Sequence, residues 1–334
     1  MTGGGLPSSE RCELAEVDRV EVLCLVDNVV DGLLVSTDVA KRAPIRPKDG
    51  PSDPASLMAS GRAPRTLRAE HGFSALITTY RDGQRGSILI DAGMTVDALA
   101  HNMAVLGVDP KTAQTVVLSH GHFDHTGGLN GLPAGLRKGI PLVVHPDAWL
   151  ERRRTMPNAE AIPIPNLSKQ AVVDARFDVV ETREPSYLLD DCLLVTGEVE
   201  RTTGFETGFP GQEALRDGEW VPDTAVLDDQ AVVVNVRGKG LVVVSGCGHA
   251  GIVNILRYAC KLTGVERVHA VIGGFHLSGP QLEPIIPVTI AAIEDFGPKW
   301  VVPMHCTGWK AVHAIAAAMP REFIQNSVGT TYLL

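Results

Sequence analysis

No long basic run interrupts the sequence. Lys and Arg number 30 against 39 Asp and Glu, and the formal net charge is −9 at pH 7. A nucleic-acid substrate calls for a basic stripe that offsets backbone charge, so nuclease activity and nucleic-acid binding are disfavoured. Arg152-Arg153-Arg154 is the one cationic cluster, and it reads as a solvated helix face rather than a phosphate clamp. Apolar runs of membrane-spanning length are also missing, and residues 1–20 lack the continuous apolar segment of a secretory leader. Nothing in the composition argues for a membrane. Paired cysteines are a third absence: Cys12, Cys24, Cys192, Cys247, Cys260 and Cys306 are scattered without CxxC or CxxxC spacing. Free thiols in a reducing cytoplasm are the expectation.

What the chain does contain is a folded composition, 44% hydrophobic and 21% charged over 334 residues, long for one ordinary domain but common for an α/β one. It is organised around residues 115–129. Thr115-Val116-Val117-Leu118 is an apolar, β-branched run that reads as a buried strand. The strand breaks at His120 into His120-Gly121-His122-Phe123-Asp124-His125, which places three imidazoles and a carboxylate within six residues of a strand end. Imidazole nitrogen and carboxylate oxygen suit Zn²⁺, Fe or Mn²⁺, and a rigid strand end holds such ligands in place. Side chains at i and i+2 of an extended segment point the same way, so His120 and His122 can grip one ion. Asp124 and His125, beyond the bend, face a second position beside it.

Residues 1–19 are Gly/Ser-rich and polar and read as a flexible tail; residues 20–334 read as one domain. A first strand spans 20–26. Residues 36–68 are rich in Pro, Gly, Ser, Arg and Lys, and a structureless connection of that length usually means a lid or binding loop or a linker. Here it reads as a lid or as a contact within a homodimer. Strands at 75–80 and 87–93 flank an Asp82-Gly83 turn. Asp91 closes the return strand, where it can orient the metal loop through hydrogen bonds or serve as an ordinary turn residue. A helix over 96–106 ends at Gly107. His145 lies at the next strand end, before Pro146, and can reach the site or be structural. The second half repeats strand, polar loop and helix. Its strands end at Gly246-Cys247-Gly248-His249, Gly273-Gly274-Phe275-His276 and His305-Cys306-Thr307-Gly308. Ligands of α/β sheets bind outside such strand ends, so the site belongs at that edge, between two sheets with helices outside both.

The spacing His-x-His-x-Asp-His resembles the signature of the metallo-β-lactamase-fold hydrolases. Several phrases look like one branch of that superfamily: Glu70-His71-Gly72-Phe73-Ser74, Thr196-Gly197-Glu198-Val199-Glu200-Arg201, Asp228-Asp229-Gln230-Ala231, Ser245-Gly246-Cys247-Gly248-His249, Gly273-Gly274-Phe275-His276-Leu277 and His305-Cys306-Thr307-Gly308. The branch is similar to the archaeal dihydropterin–ribofuranosylaminobenzene 5′-phosphate synthase. The resemblance implies an α/β fold, a four-layer αββα sandwich with two metals at one edge, and covers nearly the whole chain from about residue 20. Matched residue by residue, it implies His120, His122, Asp124 and His125 as ligands, and His276 as the last histidine ligand. The superfamily's bridging aspartate reads Cys247 here, so either that thiolate or His249 completes the site. The middle histidine ligand reads Glu198, so either the carboxylate replaces the imidazole or water does.

The expected cofactor is Zn²⁺, one or two ions, with Fe or Mn as substitutes. A two-metal site lowers the pKa of a bridging water toward 7. Asp124 is the candidate to orient that water and take its proton. His71, His305 and Arg201 are candidates for holding an anionic group or, for His305, a metal. The expected activity is metal-dependent hydrolysis, or a lyase reaction, on a small phosphorylated or heteroaromatic molecule, with hydrolytic dehalogenation as a variant. The alternatives are an iron-dependent, oxygen-using enzyme of the same fold and a binding module without turnover.

Overall fold

Strands such as Ala231–Val236 (AVVVNV) and Gly240–Ser245 (GLVVVS) are apolar at nearly every position, so both of their faces need cover. The computed structural model, which describes residues 13–45, 50–132 and 135–334, supplies that cover with four layers. The first sheet runs, in spatial order, Phe177–Glu181, Ile140–Val144, Thr115–Val117, Gln84–Ile90, Ser74–Arg81, Arg19–Val26, Thr331–Leu333 and Ala40–Lys41. The second runs Ser186–Leu188, Leu193–Val195, Ala231–Val236, Gly240–Ser245, Val268–Gly274 and Trp300–Met304, with Glu16–Val17 added parallel to Ala231–Val236.

Alternation along each strand builds three cores. Val232, Val234, Val242 and Val244 face Val20, Val22, Ile77, Ile88 and Ile90 of the other sheet. Val233, Leu241, Val243 and Val271 face the opposite way, onto helices Ile252–Thr263, Ile286–Phe296 and Trp309–Ala318. Leu76, Leu89, Val116 and Leu142 pack outward with Leu99 and Met103 of helix Ala98–Leu106. At about 25 cal/mol per Å² of buried apolar surface, these three layers are the main source of stability. The result is the αββα sandwich expected from the sequence. No helix among the described residues is long and apolar enough to cross a membrane.

Three local expectations are corrected. The tail does not extend to residue 19: residues 1–12 lie outside the described residues, but Leu14 and Val17 are buried and Glu16–Val17 is a strand. Residues 36–68 are not structureless where described. Ala40–Lys41 pairs with Thr331–Leu333, and Ser52–Pro54 forms a hairpin with Arg62–Pro64. Arg152–Arg154 is a strand, not a helix face, in a small sheet ordered Ile162–Ile164, Arg152–Arg154, Gln212–Arg216 and Glu219–Pro222. Arg152 is buried at 3% exposure, so the cluster is only partly solvated.

Candidate metal centre

After strand Thr115–Val117 the chain stays tethered through Leu118 N–H to the Val143 carbonyl, 3.0 Å, and then turns out of the sheet. His122 stands at the N-cap of the short helix Phe123–Thr126, which carries Asp124 and His125. His120 and His125 are fully buried and His122 nearly so. Their rings crowd together, with centroids 4.6 Å apart for His120–His122 and 4.2 Å for His120–His125. Gly121 is required by close approach: a Cβ there would lie 2.1 Å from the Ala148 carbonyl oxygen.

Strand ends of the second sheet close the site from the other side. Cys247 and His249 follow Gly240–Ser245, His276 follows Val268–Gly274, and His305 follows Trp300–Met304. Their donor atoms fall into three groups that share Cys247: Asp124, His125, Cys247 and His305; His120, Cys247 and His249; Cys247, His276 and Cys306. Within each group the donors lie within 4.8 Å of one another. In the first, His305 Nε2 is 3.1 Å from His125 Nε2 and 3.3 Å from Asp124 Oδ2. In the second region, His120 Nε2 is 3.0 Å from His122 Nδ1, and the His249 ring is 4.8 Å from that of His120 and 4.9 Å from that of His122.

The backbone at these turns is held in the left-handed region, at φ 43° for His276, 46° for His305 and 56° for Asp91. Each such residue costs roughly 1–3 kcal/mol unless its surroundings over-determine it. For His305 they do. Its N–H donates to Asp27 Oδ1 at 2.7 Å, and its carbonyl accepts from Asn28 Nδ2 at 2.9 Å. For Asp91, Oδ1 accepts from Ser119 N–H at 2.7 Å and Oδ2 from the Ser119 hydroxyl at 2.6 Å. The same Oδ2 lies 2.7 Å from His125 Nδ1, while Ser119 Oγ is 2.9 Å from His120 Nδ1. With both Nδ1 atoms engaged, the Nε2 atoms of His120 and His125 are left facing the cluster.

The phrase Asp228-Asp229-Gln230 stitches the two halves together. Asp228 Oδ2 accepts from Gly121 N–H at 2.8 Å, Asp229 Oδ2 from Ala250 N–H at 2.9 Å, and Gln230 Nε2 donates to the Leu118 carbonyl at 2.8 Å. Arg152 reaches in from the small sheet, pairing with Asp223 at 2.8 Å and Asp228 at 2.5 Å. Arg152, Ser119, Asp27 and Asn28 were missed in the sequence. The signal available for them was weak: a polar residue next to a strand end.

Burial, with neighbouring imidazoles, holds His120 and His249 well below the usual histidine pKa, and burial beside Arg152 holds His122 at about 4. These rings are neutral at pH 7, the form that binds metal. Burial opposes the charged form of His125 as well, but Asp91 and Asp124 outweigh it and raise that group to about 9. Burial, followed by Cys306, pushes the Cys247 thiol up, and a bound cation is what would favour its thiolate.

The cluster fits a divalent cation. His122 Nε2 and both ring nitrogens of His249 and of His276 are buried without a hydrogen-bond partner. Such atoms are costly in a dry interior and natural as ligands. Donors bound tetrahedrally to zinc lie about 3.3–3.8 Å apart, given bonds of about 2.0–2.3 Å. The 3.0–3.3 Å separations above need only small adjustment.

The sequence candidates are thus sorted. His120, His122, Asp124, His125, Cys247 and His249 come together. His305 joins Asp124 and His125, while His276 joins Cys247 and Cys306 in the third group and packs 4.1 Å from the His249 ring. Glu198 takes no part in the three groups. It pairs with Arg183 at 3.3 Å and His145 at 3.5 Å, whereas His249 lies in the group with His120 and Cys247. Arg201 donates to the carbonyls of His249 and Ala225. His71 stands at the rim, its side chain 60% exposed, stacked 4.8 Å from the His305 ring and 3.8 Å from Asp124 Oδ2.

The chain belongs to the metallo-beta-lactamase superfamily, whose family description matches residues 67–258. It is similar to the 7,8-dihydropterin-6-methyl-4-(beta-D-ribofuranosyl)-aminobenzene-5′-phosphate synthase of Methanocaldococcus jannaschii, at 34% identity over 265 residues, 78% of this chain and 89% of that protein. An uncharacterized protein of the same organism is 31% identical over 279 residues, 82% of this chain and 97% of that one. Among solved structures it resembles Tm1679, a metal-dependent hydrolase of the beta-lactamase superfamily, with a TM-score of 0.68 and 23% identity, covering 93% of this chain and 98% of that one.

Orientation of His125 by Asp91 has a measurable consequence. An Asp91→Asn variant is expected to bind Zn²⁺ about 10–100-fold more weakly at pH 9, read by competition with a chromophoric chelator. The pH must be chosen with care. Wild-type affinity rises with pH until the His125 proton, pKa about 9, is gone. The variant loses much of that proton competition, so at pH 7 part of the defect is masked.

Proposed function

We propose that this chain is a metal-dependent hydrolase acting, through a metal-activated water, on a small phosphorylated or heteroaromatic molecule. The observation that carries the reading is the convergence of three donor groups on one thiol, Cys247, with the Asp124 carboxylate in one of them and its side chain 14% exposed. His120, His122, Cys247 and His249 would hold one divalent cation, and Asp124, His125, Cys247 and His305 a second; zinc suits this mixed nitrogen, oxygen and sulfur set best. A cation held there supplies Lewis acidity and brings water ionisation to neutral pH.

The chain's own residues do the rest. Burial acts against the Asp124 carboxylate, but His125 and His305 hold its pKa well below the usual carboxylate range. It therefore stays ionised, able to accept a hydrogen bond from the attacking water and orient it. His71, whose pKa is lowered by burial and by His305, is neutral at pH 7 and lies 3.8 Å from Asp124. It is the group placed to pass a proton to solvent. Asp91, Ser119, Asp27 and Asn28 keep the imidazoles aimed, which is the preorganisation catalysis requires. The phosphorylated or heteroaromatic class is supported by the 34% identity to a synthase whose name carries a dihydropterin and a 5′-phosphate.

The test is turnover of a panel of phosphomonoesters, phosphodiesters, lactones and haloaromatics by metal-loaded protein. Activity toward at least one class is expected, lost on chelation and restored by Zn²⁺ or Mn²⁺. Oxygen consumption by iron-loaded protein, with no hydrolysis of any class, would replace this reading with that of an oxygen-using enzyme.

A further inference from the structure

The arginines of the small sheet and of the segments around it can be accounted for one at a time. Arg152 is paired with Asp223 and Asp228, Arg153 with Glu213, Arg183 with Asp147 and Glu198, and Arg216 with Asp147. Arg201 is spent on backbone carbonyls. Arg154 differs: among the described residues it has no carboxylate partner, and its Nη1 donates only to the Pro210 carbonyl at 3.0 Å. In a chain of net charge −9, a cation left without a carboxylate is not a by-product of surplus positive charge.

Its placement ties it to the centre. Arg152 and Arg154 share a strand and are two residues apart, so their side chains leave the same face of the small sheet. Arg152 reaches Asp228 behind the metal loop. The Arg154 guanidinium lies over the Phe209 ring, 4.3 Å from its centroid. Phe209 in turn stands edge-on to His276 at 4.7 Å, with an interplanar angle of 89°, and is tilted against His249 at 5.4 Å. The loop that delivers this ring is built for the purpose. Phe209 N–H donates to the Thr224 carbonyl at 2.7 Å, and Gly208 takes φ 99° where a Cβ would lie 2.3 Å from the same oxygen. One other anion seat near the site is already filled: at the N-terminus of helix Ile252–Thr263, Glu206 accepts from Val253 N–H at 2.8 Å and Asn254 N–H at 2.9 Å.

We propose that Arg154 and Phe209 form the substrate-recognition wall of the centre, the guanidinium gripping a phosphate or phosphonate group and the ring packing against a planar body attached to it. The Nε–Nη2 edge of Arg154 is the fork that matches such a group with two parallel hydrogen bonds, and a cation stacked on an aromatic face is held ready for it. This rests on the hydrolase reading of the same site, and it makes both residues determinants of specificity.

Binding of phenylphosphonate and of inorganic phosphate to metal-loaded protein, measured by calorimetry with metal content determined in parallel, tests it. Arg154→Met is expected to weaken phenylphosphonate binding about 10–100-fold with full metal content, and Arg154→Lys to be intermediate. Phe209→Leu is expected to weaken phenylphosphonate but not inorganic phosphate. Wild-type affinity in the Arg154→Met variant overturns the proposal, as does its loss of metal, which would mark Arg154 as a structural support. Failure of wild-type protein to bind phenylphosphonate while metal-loaded also overturns it, and in each of these cases the metal centre still stands. A wild-type protein that takes up no metal overturns the hydrolase reading and this proposal with it.

Discussion

Replacing His305 with alanine is expected to empty the cation position at Asp124 and His125 and to lower turnover on the order of a thousandfold. Loss of Lewis-acid stabilisation worth several kcal/mol, at 1.36 kcal/mol per factor of ten, sets that scale. The alanine removes an Nε2 that sits 3.1 Å from His125 Nε2 and 3.3 Å from Asp124 Oδ2. His276→Ala is expected to behave differently. Its ring lies against His249 and Phe209, and the Asp124–His125 group does not include it. That variant should keep its metal and show its defect, if substrate reaches the wall, in KM. Metal analysis of the two variants side by side separates them. Metal loss in His276→Ala with retention in His305→Ala would reverse the assignment and restore the ligand expected from the sequence.

Arg152→Met is expected to be the most destabilising substitution outside the hydrophobic layers, at roughly 3–5 kcal/mol, because breaking a buried ion pair leaves uncompensated charge behind. Arg152 is 3% exposed, Asp223 4% and Asp228 0%. Without the guanidinium, two buried carboxylates lose the cation they share, and one of them holds Gly121 N–H in the metal loop. The damage should therefore reach the centre, so that urea denaturation shows a lowered midpoint and metal affinity falls as well. A triple change that also replaces Asp223 and Asp228 by asparagine should recover much of the stability. Were Arg152→Met as stable as wild type, the pairing would carry no weight.

How much of this was legible in the sequence depended on whether the partners were near in the chain. His120, His122, Asp124 and His125 are contiguous on one turn, so strand patterning and ligand chemistry found them without tertiary information. The sandwich was also legible, because runs such as LVVV at 241–244 must be covered on both faces. The choice among His249, His276 and His305 was not. All three end strands of one sheet, and which ring reaches Asp124 is decided by strand order and by left-handed turns at His276 and His305. Arg152 was misread for a related reason. A triple-arginine run is ordinarily solvated, and only its pairing with carboxylates 71 and 76 residues further on reveals a buried ion triad. Glu198 was drawn toward the site by its Gly-Glu step, yet in space Arg183 and His145 claim it.

The most direct test of the central claim, that divalent cations are gripped between the His120–His125 turn and the strand ends at Cys247, His249 and His305, is an anomalous-difference map from crystals grown with Zn²⁺. The account predicts density within about 2.0–2.3 Å of donors from these residues, shared through the Cys247 sulfur when two ions are present. A map with no peak there, or with a peak held by His276 and Cys306 while His120 and His125 stay unbound, would contradict it.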